Sequence, residues 1–343
     1  MPIKIAINGF GRIGRCVLRA IYERNLQNEI EIVAINELAD CETIAYMLRY
    51  DSTHGRFAKN VTVDNDMLTI SDNQQQDRAH TIKILHHTNI HDLPWKNLNV
   101  DVVLECTGKF NQHSELQAHI QQGAKNVLLS QPGHDLDFIL IHGLNQHELK
   151  AEHKIISLGS CSTNCVLPIF SLLDEKLGIE QGVTTTIHSA MNDQPVIDAY
   201  ASDLRRTRAA VASIIPVDTA LPKGIARLMP HLDGRIESIH LRVPTLNVSA
   251  MDLSLQLKTD TNVDEVNALL KSASENPLKN IIGFTQDPHA SVDFNHDSRS
   301  GIVDASQTKV SGKRLLKLII WFDNEWGFAN RMVDALKILK LEA

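Results

Sequence analysis

The chain has 343 residues, enough for two domains at roughly 150 residues each, and 43% of them are apolar, enough for two cores. With 34 basic and 41 acidic residues, a formal net charge of -7 and no lysine-rich stripe or basic tail, it lacks the electrostatic footprint of a nucleic-acid binder. No run reaches the roughly 18 apolar residues of a membrane span, Met1-Pro2-Ile3-Lys4 leads into a strand rather than a signal peptide, and five cysteines make an odd count suited to reduced thiols. A cytoplasmic protein with no membrane and no nucleic-acid partner is expected.

In chain order, Ile3 to Asn8 reads as a strand, Ile13 to Arg24 as a helix, Glu31 to Asn36 as a strand and Cys41 to Arg49 as a helix. This βαβ opening predicts a parallel sheet. Short alternating strands at Val61 to Val63, Met67 to Ile70 and Thr81 to Leu85 predict an antiparallel excursion, with the polar stretch Asp72 to Asp77 as its solvated tip. Parallel alternation resumes with Asp101 to Glu105, a helix over Ser114 to Gln122, and strands at Asn126 to Ser130 and Ile155 to Ser157. Beyond residue 160 the strands lengthen and show one polar face: Thr184 to His188, Ile236 to Arg242, Ser249 to Leu257 and Leu315 to Phe322. That alternation predicts an antiparallel sheet with one covered face. Between Ser189 and Ile214 lies a long aperiodic segment of the kind that is functional or interfacial. Helical spacing returns from Arg331 to Leu341.

Gly9-Phe10-Gly11-Arg12-Ile13-Gly14 follows the first strand and opens the first helix. Its glycines would let backbone N–H groups approach a pyrophosphate at the positive end of that helix. Glu37 follows the second strand, 23 residues beyond Gly14, where a carboxylate binds a ribose 2′-hydroxyl and repels a 2′-phosphate. The pair points to NAD rather than NADP; a glycine turn used only for packing, with Glu37 a solvated charge, is the bland alternative.

Ser160-Cys161-Ser162-Thr163-Asn164-Cys165 precedes an apolar helical run. A cysteine at a helix start gains from the dipole and the free N–H groups, so Cys161 is the candidate nucleophile and Cys165, a turn deeper, a core residue. The C-x-x-x-C pair lacks companion ligands, and no metal is expected. His188 closes the strand Thr184-Thr185-Thr186-Ile187, where it could face the helix start. A thiolate beside an imidazolium would activate the cysteine and supply an acid/base for an aldehyde oxygen. Arg205, Arg206, Arg208 and Arg242 offer guanidinium forks for phosphate oxygens, or else interface ion pairs.

Asn8 to Arg15, Ser160 to Cys165, Arg242-Val243-Pro244-Thr245 and Trp321-Phe322-Asp323-Asn324-Glu325-Trp326-Gly327 together resemble the glyceraldehyde-3-phosphate dehydrogenase superfamily along essentially the whole chain. Within it, Ala34 to Asp40, Thr186 to Met191, Val196 to Tyr200 and Ser291 to Asp297 are similar to its erythrose-4-phosphate dehydrogenase branch. The resemblance implies a Rossmann NAD-binding domain over 1–160, completed by a C-terminal helix over 326–343. It implies an α+β catalytic and tetramerisation domain with a mostly antiparallel sheet over 161–325. A homotetramer is implied, with the 189–214 segment reaching a neighbour's cofactor site. It makes Cys161 the nucleophile and His188 its activator. Ser160, Ser162, Thr219 and Ala220 would line an anion subsite, and Arg206 (or Arg205) and Arg242 would hold the phosphate of an aldose phosphate. Gly9, Gly11, Arg12, Ile13 and Gly14 would take the pyrophosphate, Glu37 the ribose and Asn324 the nicotinamide carboxamide. Two departures stand out: Ser162 replaces the usual first threonine but keeps its hydroxyl, and Met191 stands where the three-carbon enzymes place a phosphate-binding threonine. His87 replaces an arginine expected near the adenine. The alternative is a phosphorylating glyceraldehyde-3-phosphate dehydrogenase.

Overall fold

The computed structural model describes residues 1–72 and 75–339, so the tip residues Asn73 and Gln74 and the last four residues lie outside the described ones. The chain forms two compact units. The first comprises residues 1–140 and 145–160 and the chain from Ala329 onward; the second comprises 141–144 and 161–328.

The first unit contains β1 (Ile3–Asn8), α1 (Arg12–Glu23), β2 (Ile30–Asn36), α2 (Cys41–Arg49), the short hairpin β3 (Tyr50–Asp51) and β4 (Gly55–Arg56), β5 (Asn60–Asp64), β6 (Met67–Asp72), β7 (Gln75–Leu85), β8 (Val102–Glu105), α3 (His113–Gln121), β9 (Asn126–Leu129), β10 (Phe138–Ile139) and β11 (Ile155–Ser157). Nine strands form one sheet in the order β10-β11-β9-β8-β1-β2-β7-β6-β5. β1 is parallel to both β2 and β8, whereas β5, β6 and β7 pair antiparallel at one edge before β7 joins β2 in parallel. The strands near the centre are buried on both faces, as β8 and β9 show at every residue, which is why they read as continuous apolar runs. Because β1 feeds β2 on one side and has β8 on the other, the strand order reverses there. Ligands of open α/β sheets bind outside the carboxyl ends of the strands at such a reversal.

The second unit contains α4 (Cys161–Leu177), β12 (Ile179–His188), β13 (Ile215–Val217), α5 (Leu221–Leu228), β14 (Ile236–Arg242), β15 (Ser249–Leu257), α6 (Val263–Glu275), β16 (Ile282–Thr285), β17 (Gly301–Asp304), β18 (Lys309–Ser311) and β19 (Leu315–Phe322). Its sheet runs β13-β14-β12-β15-β19-β17-β16, with β18 on β19. The pairing is mostly antiparallel; β12–β14 and β16–β17 are parallel. α4 is apolar nearly all round and accordingly buried from Ser162 to Phe170. A Cβ on Gly301 of β17 would come within 3.1 Å of Cys165 Sγ, so the helix lies directly on the sheet. Cys165 is fully buried there, and burial pushes its thiol far up. The last helix, α7 (Trp326–Ile338), starts on Asp323, whose carboxylate accepts from the Glu325 and Trp326 N–H groups.

Helix α7 starts five residues earlier than the periodicity suggests, because Trp326 and Phe328 are buried on a face that the polar neighbours Asn324 and Glu325 conceal in the sequence. Helices α5 and α6 are not among the elements assigned from the sequence; α5 is only eight residues long and holds Gly224, whereas Val263, Val266, Leu270 and Ala273 of α6 do recur at helical spacing.

Candidate active site

In the first unit, β1 ends at Asn8 and the chain turns through Gly9, held at φ +91°. A Cβ on Gly9 would lie 2.6 Å from the Thr107 nitrogen, so only glycine lets the loops after β1 and β8 meet. At Gly14 a Cβ would sit 2.4 Å from the Gly9 carbonyl oxygen, so the helix start is drawn onto the turn. Around Gly11, by contrast, a Cβ would meet nothing within 4 Å. No side chain caps α1 at Gly11. An open concavity over an uncapped helix N-terminus fits a pyrophosphate.

A buried polar network fixes this edge. The Glu105 carboxylate accepts from Asn8 Nδ2 (2.6 Å), His119 Nε2 (3.1 Å) and the Thr107 N–H (2.9 Å), and also from the Thr107 hydroxyl. Trp95 Nε1–H donates to His119 Nδ1 at 2.9 Å, which leaves the imidazole proton on Nε2, facing Glu105. Asn36 Nδ2 donates to Asn8 Oδ1 and to the His87 carbonyl, and the His87 N–H donates back to Asn36 Oδ1. The sequence reading missed this network; its signal was the polar Asn8, Asn36 and Glu105 at the ends of three apolar strands.

Glu37 lines a cleft together with Asn8, Gly9, Leu38, Thr88 and Phe110. Its carboxylate accepts from the Phe10 N–H (2.8 Å) and the Leu38 N–H (2.7 Å), so the charge is held at the rim of the glycine turn. His87 lines the same cleft and meets Asn36 through its backbone. Arg12 bonds Asp51 through its guanidinium, and Asp51 also accepts from the Thr53 and His54 N–H groups. Burial alone would raise the Asp51 carboxyl, but these hydrogen bonds hold it well below the usual carboxylate range. Arg12 can therefore serve a pyrophosphate through its backbone, as can Ile13, while its side chain anchors the 51–54 turn.

In the second unit, Cys161 is the first residue of α4 and His188 the last of β12. Cys161 Sγ lies 3.6 Å from His188 Nε2. His188 Nδ1 is 2.8 Å from the Ser189 carbonyl oxygen, which makes Nδ1 the protonated nitrogen and leaves the Nε2 lone pair toward the thiol. Arg242 Nη1 stands 3.4 Å from the same Nδ1, too long and too crowded to displace that bond. β12 and β14 run parallel with His188 opposite Arg242, so adjacent strands deliver base and guanidinium together.

The charge state differs from the sequence expectation. Burial, reinforced by the positive Arg242, pushes His188 down to about 4, so the imidazole is neutral at pH 7 rather than an imidazolium. Burial also pushes the Cys161 thiol up, against the Ser162 hydroxyl and N–H and the Arg242 charge, which pull it down. The resting pair is a thiol facing a neutral imidazole, ready for proton transfer on attack.

His240, absent from the sequence reading, stacks on His188 with ring centroids 5.1 Å apart and planes 24° from parallel. Phe322 meets His188 edge-on at 6.3 Å. His240 is 9% exposed, and burial pushes it down to about 3. The signal was its position two residues before Arg242, on the same face of β14.

Of the other expected residues, Ser162 is buried beside Cys161, and Ser160 ends the first unit immediately before it. Thr219 Oγ1 accepts the Leu221 N–H at 3.1 Å, and Ala220 occupies the residue before α5 without a side-chain cap. A Cβ on Gly224 of α5 would reach 3.0 Å from Thr163 Cγ2, so α5 packs on the first turn of α4. Arg206 is half-buried and bonds Asp193 at 3.0 Å, whereas Arg205 is exposed. Asn324 Oδ1 accepts from the Ser189 and Ser249 hydroxyls at 2.9 and 2.8 Å, which orients its amide with the NH2 outward. Met191 is 40% exposed.

No helix among the described residues is long and apolar enough to cross a membrane. The sequence matches two domain families: glyceraldehyde 3-phosphate dehydrogenase, NAD binding domain, over residues 3–113, and glyceraldehyde 3-phosphate dehydrogenase, C-terminal domain, over residues 160–324. The first carries the glycine turn and Glu37, the second Cys161, His188, Arg242 and Asn324. The chain therefore belongs to the glyceraldehyde-3-phosphate dehydrogenase family and is an NAD-dependent oxidoreductase with a Rossmann NAD-binding domain.

Proposed function

We propose that the chain oxidises D-erythrose 4-phosphate to 4-phosphoerythronate and releases the acyl group to water, the first step towards pyridoxal 5′-phosphate. Cys161 Sγ attacks the aldehyde carbon, and its proton passes through His188 Nε2 to the aldehyde oxygen, giving a hemithioacetal. Bound NAD supplies the hydride acceptor for the next step. His188 Nε2 withdraws the hydroxyl proton as the carbon is oxidised, and a thioester on Cys161 remains. Water then displaces Sγ, which recovers its proton.

Residue by residue, Gly9, Gly11, Gly14 and the Arg12 and Ile13 N–H groups hold the pyrophosphate, Glu37 the ribose and Asn324 the carboxamide. Ser160, Ser162, Thr219 and Ala220 form the anion subsite, and Arg206 and Arg242 take the substrate phosphate. Asp193 shares the Arg206 charge until substrate arrives.

Met191 carries the choice of substrate. A thioether cannot donate a hydrogen bond and accepts weakly, so a three-carbon phosphate loses a partner three residues beyond His188. The proposal includes a homotetramer. In the 189–214 segment Val196, Ile197, Tyr200, Leu204 and Ile214 are all exposed in the single chain, an apolar surface of the kind that marks an interface.

The test follows NADH absorbance with erythrose 4-phosphate and glyceraldehyde 3-phosphate, each with and without inorganic phosphate. Faster, phosphate-independent oxidation of the four-carbon substrate is expected. Faster, phosphate-dependent oxidation of the three-carbon one would make the chain a phosphorylating glyceraldehyde-3-phosphate dehydrogenase. Sedimentation velocity at assay concentration reports the tetramer.

A further inference from the structure

Three side chains outside the active site converge on the surface of the first unit. Cys41 opens α2, Asp66 lies in the turn between β5 and β6, and His86 follows the last residue of β7. Cys41 Sγ, a carboxylate oxygen of Asp66 and a ring nitrogen of His86 all lie within 4.8 Å of one another. The sulfur and His86 Nε2 are 3.7 Å apart. With metal–sulfur near 2.3 Å and metal–nitrogen near 2.0 Å, a tetrahedral ion sets those two atoms about 3.5 Å apart. The observed spacing is thus already that of two ligands of one ion.

The surroundings are those of a ligand set. His86 Nδ1 is 2.8 Å from the Glu37 carbonyl oxygen, so it donates there and turns its Nε2 lone pair toward the sulfur. Metal-bound imidazoles are oriented by such a bond to a carbonyl. The Asp66 carbonyl accepts the Ile84 N–H at 2.7 Å, which pins the turn to β7. Asp40, next to Cys41, spends both carboxylate oxygens on Thr43, at 2.8 and 2.7 Å, and fixes the start of α2. Asp40, Glu42 and Asp66 give this corner a negative charge that favours a cation.

We propose that Cys41, Asp66 and His86 form a zinc site with one position left for water. A thiolate, an imidazole and a carboxylate suit zinc rather than magnesium or calcium, which take oxygen ligands. Binding releases the thiol proton to solvent and leaves the metal redox state unchanged. The site adjoins Glu37 through the His86 bond to its carbonyl and is far from Cys161 in the chain, and its ligands come from three separate segments, so no local spacing reveals it.

The test titrates the reduced, NAD-loaded full-length protein with Co²⁺ and then with Zn²⁺, alongside C41S, H86N and C161S. One equivalent of Co²⁺ should give a thiolate-to-cobalt charge-transfer band that Zn²⁺ abolishes. The band should persist in C161S and vanish in C41S, and H86N, which removes a direct ligand, should weaken zinc binding by more than the roughly 100-fold that loss of an outer hydrogen-bond partner costs. Unchanged circular dichroism and NAD binding in C41S and H86N establish that they fold. A band that survives in C41S, a band lost in C161S alone, or no band in the unaltered protein would overturn the proposal.

Discussion

Replacing His188 by Asn separates a neutral base from an imidazolium partner. Nε2 faces Cys161 Sγ at 3.6 Å while Nδ1–H is tied to the Ser189 carbonyl, so the ring can only accept the cysteine proton. Asn removes that acceptor, and acylation should slow by about 10²–10⁴-fold, or about 3–5 kcal/mol of barrier. With His188 pushed down to about 4, only about 0.1% of it is protonated at pH 7. Lowering the pH from 7 to 5 therefore leaves the base form intact, and activity dependent on it is lost only as pH falls through about 4. The assay is the stopped-flow NADH burst with unphosphorylated glyceraldehyde, whose lack of a phosphate keeps substrate ionisation out of the profile. The acid limb should lie near pH 4 in the unaltered protein and be absent in H188N. An acid limb centred near pH 6.5 that H188N abolishes would refute the neutral-base reading and restore the ion pair.

Stability tests the surrounding residues. His188 and His240 are neutral when folded, at about 4 and about 3, and protonate more readily when unfolded, so stability is lost as pH falls below about 6.5; from pH 7 to 5 each costs about 2 kcal/mol, and H240F should remove about half of that sensitivity in urea titrations. Glu105→Gln turns an NH2 toward Asn8, His119 or Thr107 donors and should cost about 3 kcal/mol, read as a lower melting temperature; an unchanged one would show that the network carries no weight. Gly9→Ala, at φ +91° and 2.6 Å from Thr107, should destabilise by about 2–4 kcal/mol and weaken NAD binding measured by fluorescence quenching.

Much of the fold was legible because it rests on local physics. Strands β1, β11, β14, β15 and β19 and helix α2 have the bounds that periodicity assigns, and Gly9 and Gly14 are where a tight turn and a close approach require them. Cys161 at a helix start and His188 at a strand end could be singled out by residue type and by the element each terminates. Helix α5 was missed because it is only eight residues long and carries Pro222 and Gly224, whereas α6, with Val263, Val266, Leu270 and Ala273 at helical spacing, was legible and overlooked. The Glu105 network was missed because its members are scattered from residue 8 to residue 119 and meet only at the carboxyl ends of the central strands.

The sequence by itself determined the βαβ opening, the glycine turn with its acidic partner and the candidate nucleophile, since these depend on side-chain period and φ over a few residues. The tertiary structure alone decided that Cys161 meets His188, that His240 stacks behind it and that Arg12 is spent on Asp51. It also decided the charge of the pair: desolvation and the field of Arg242 depend on groups far apart in the chain, and only folding brings them within a few ångströms.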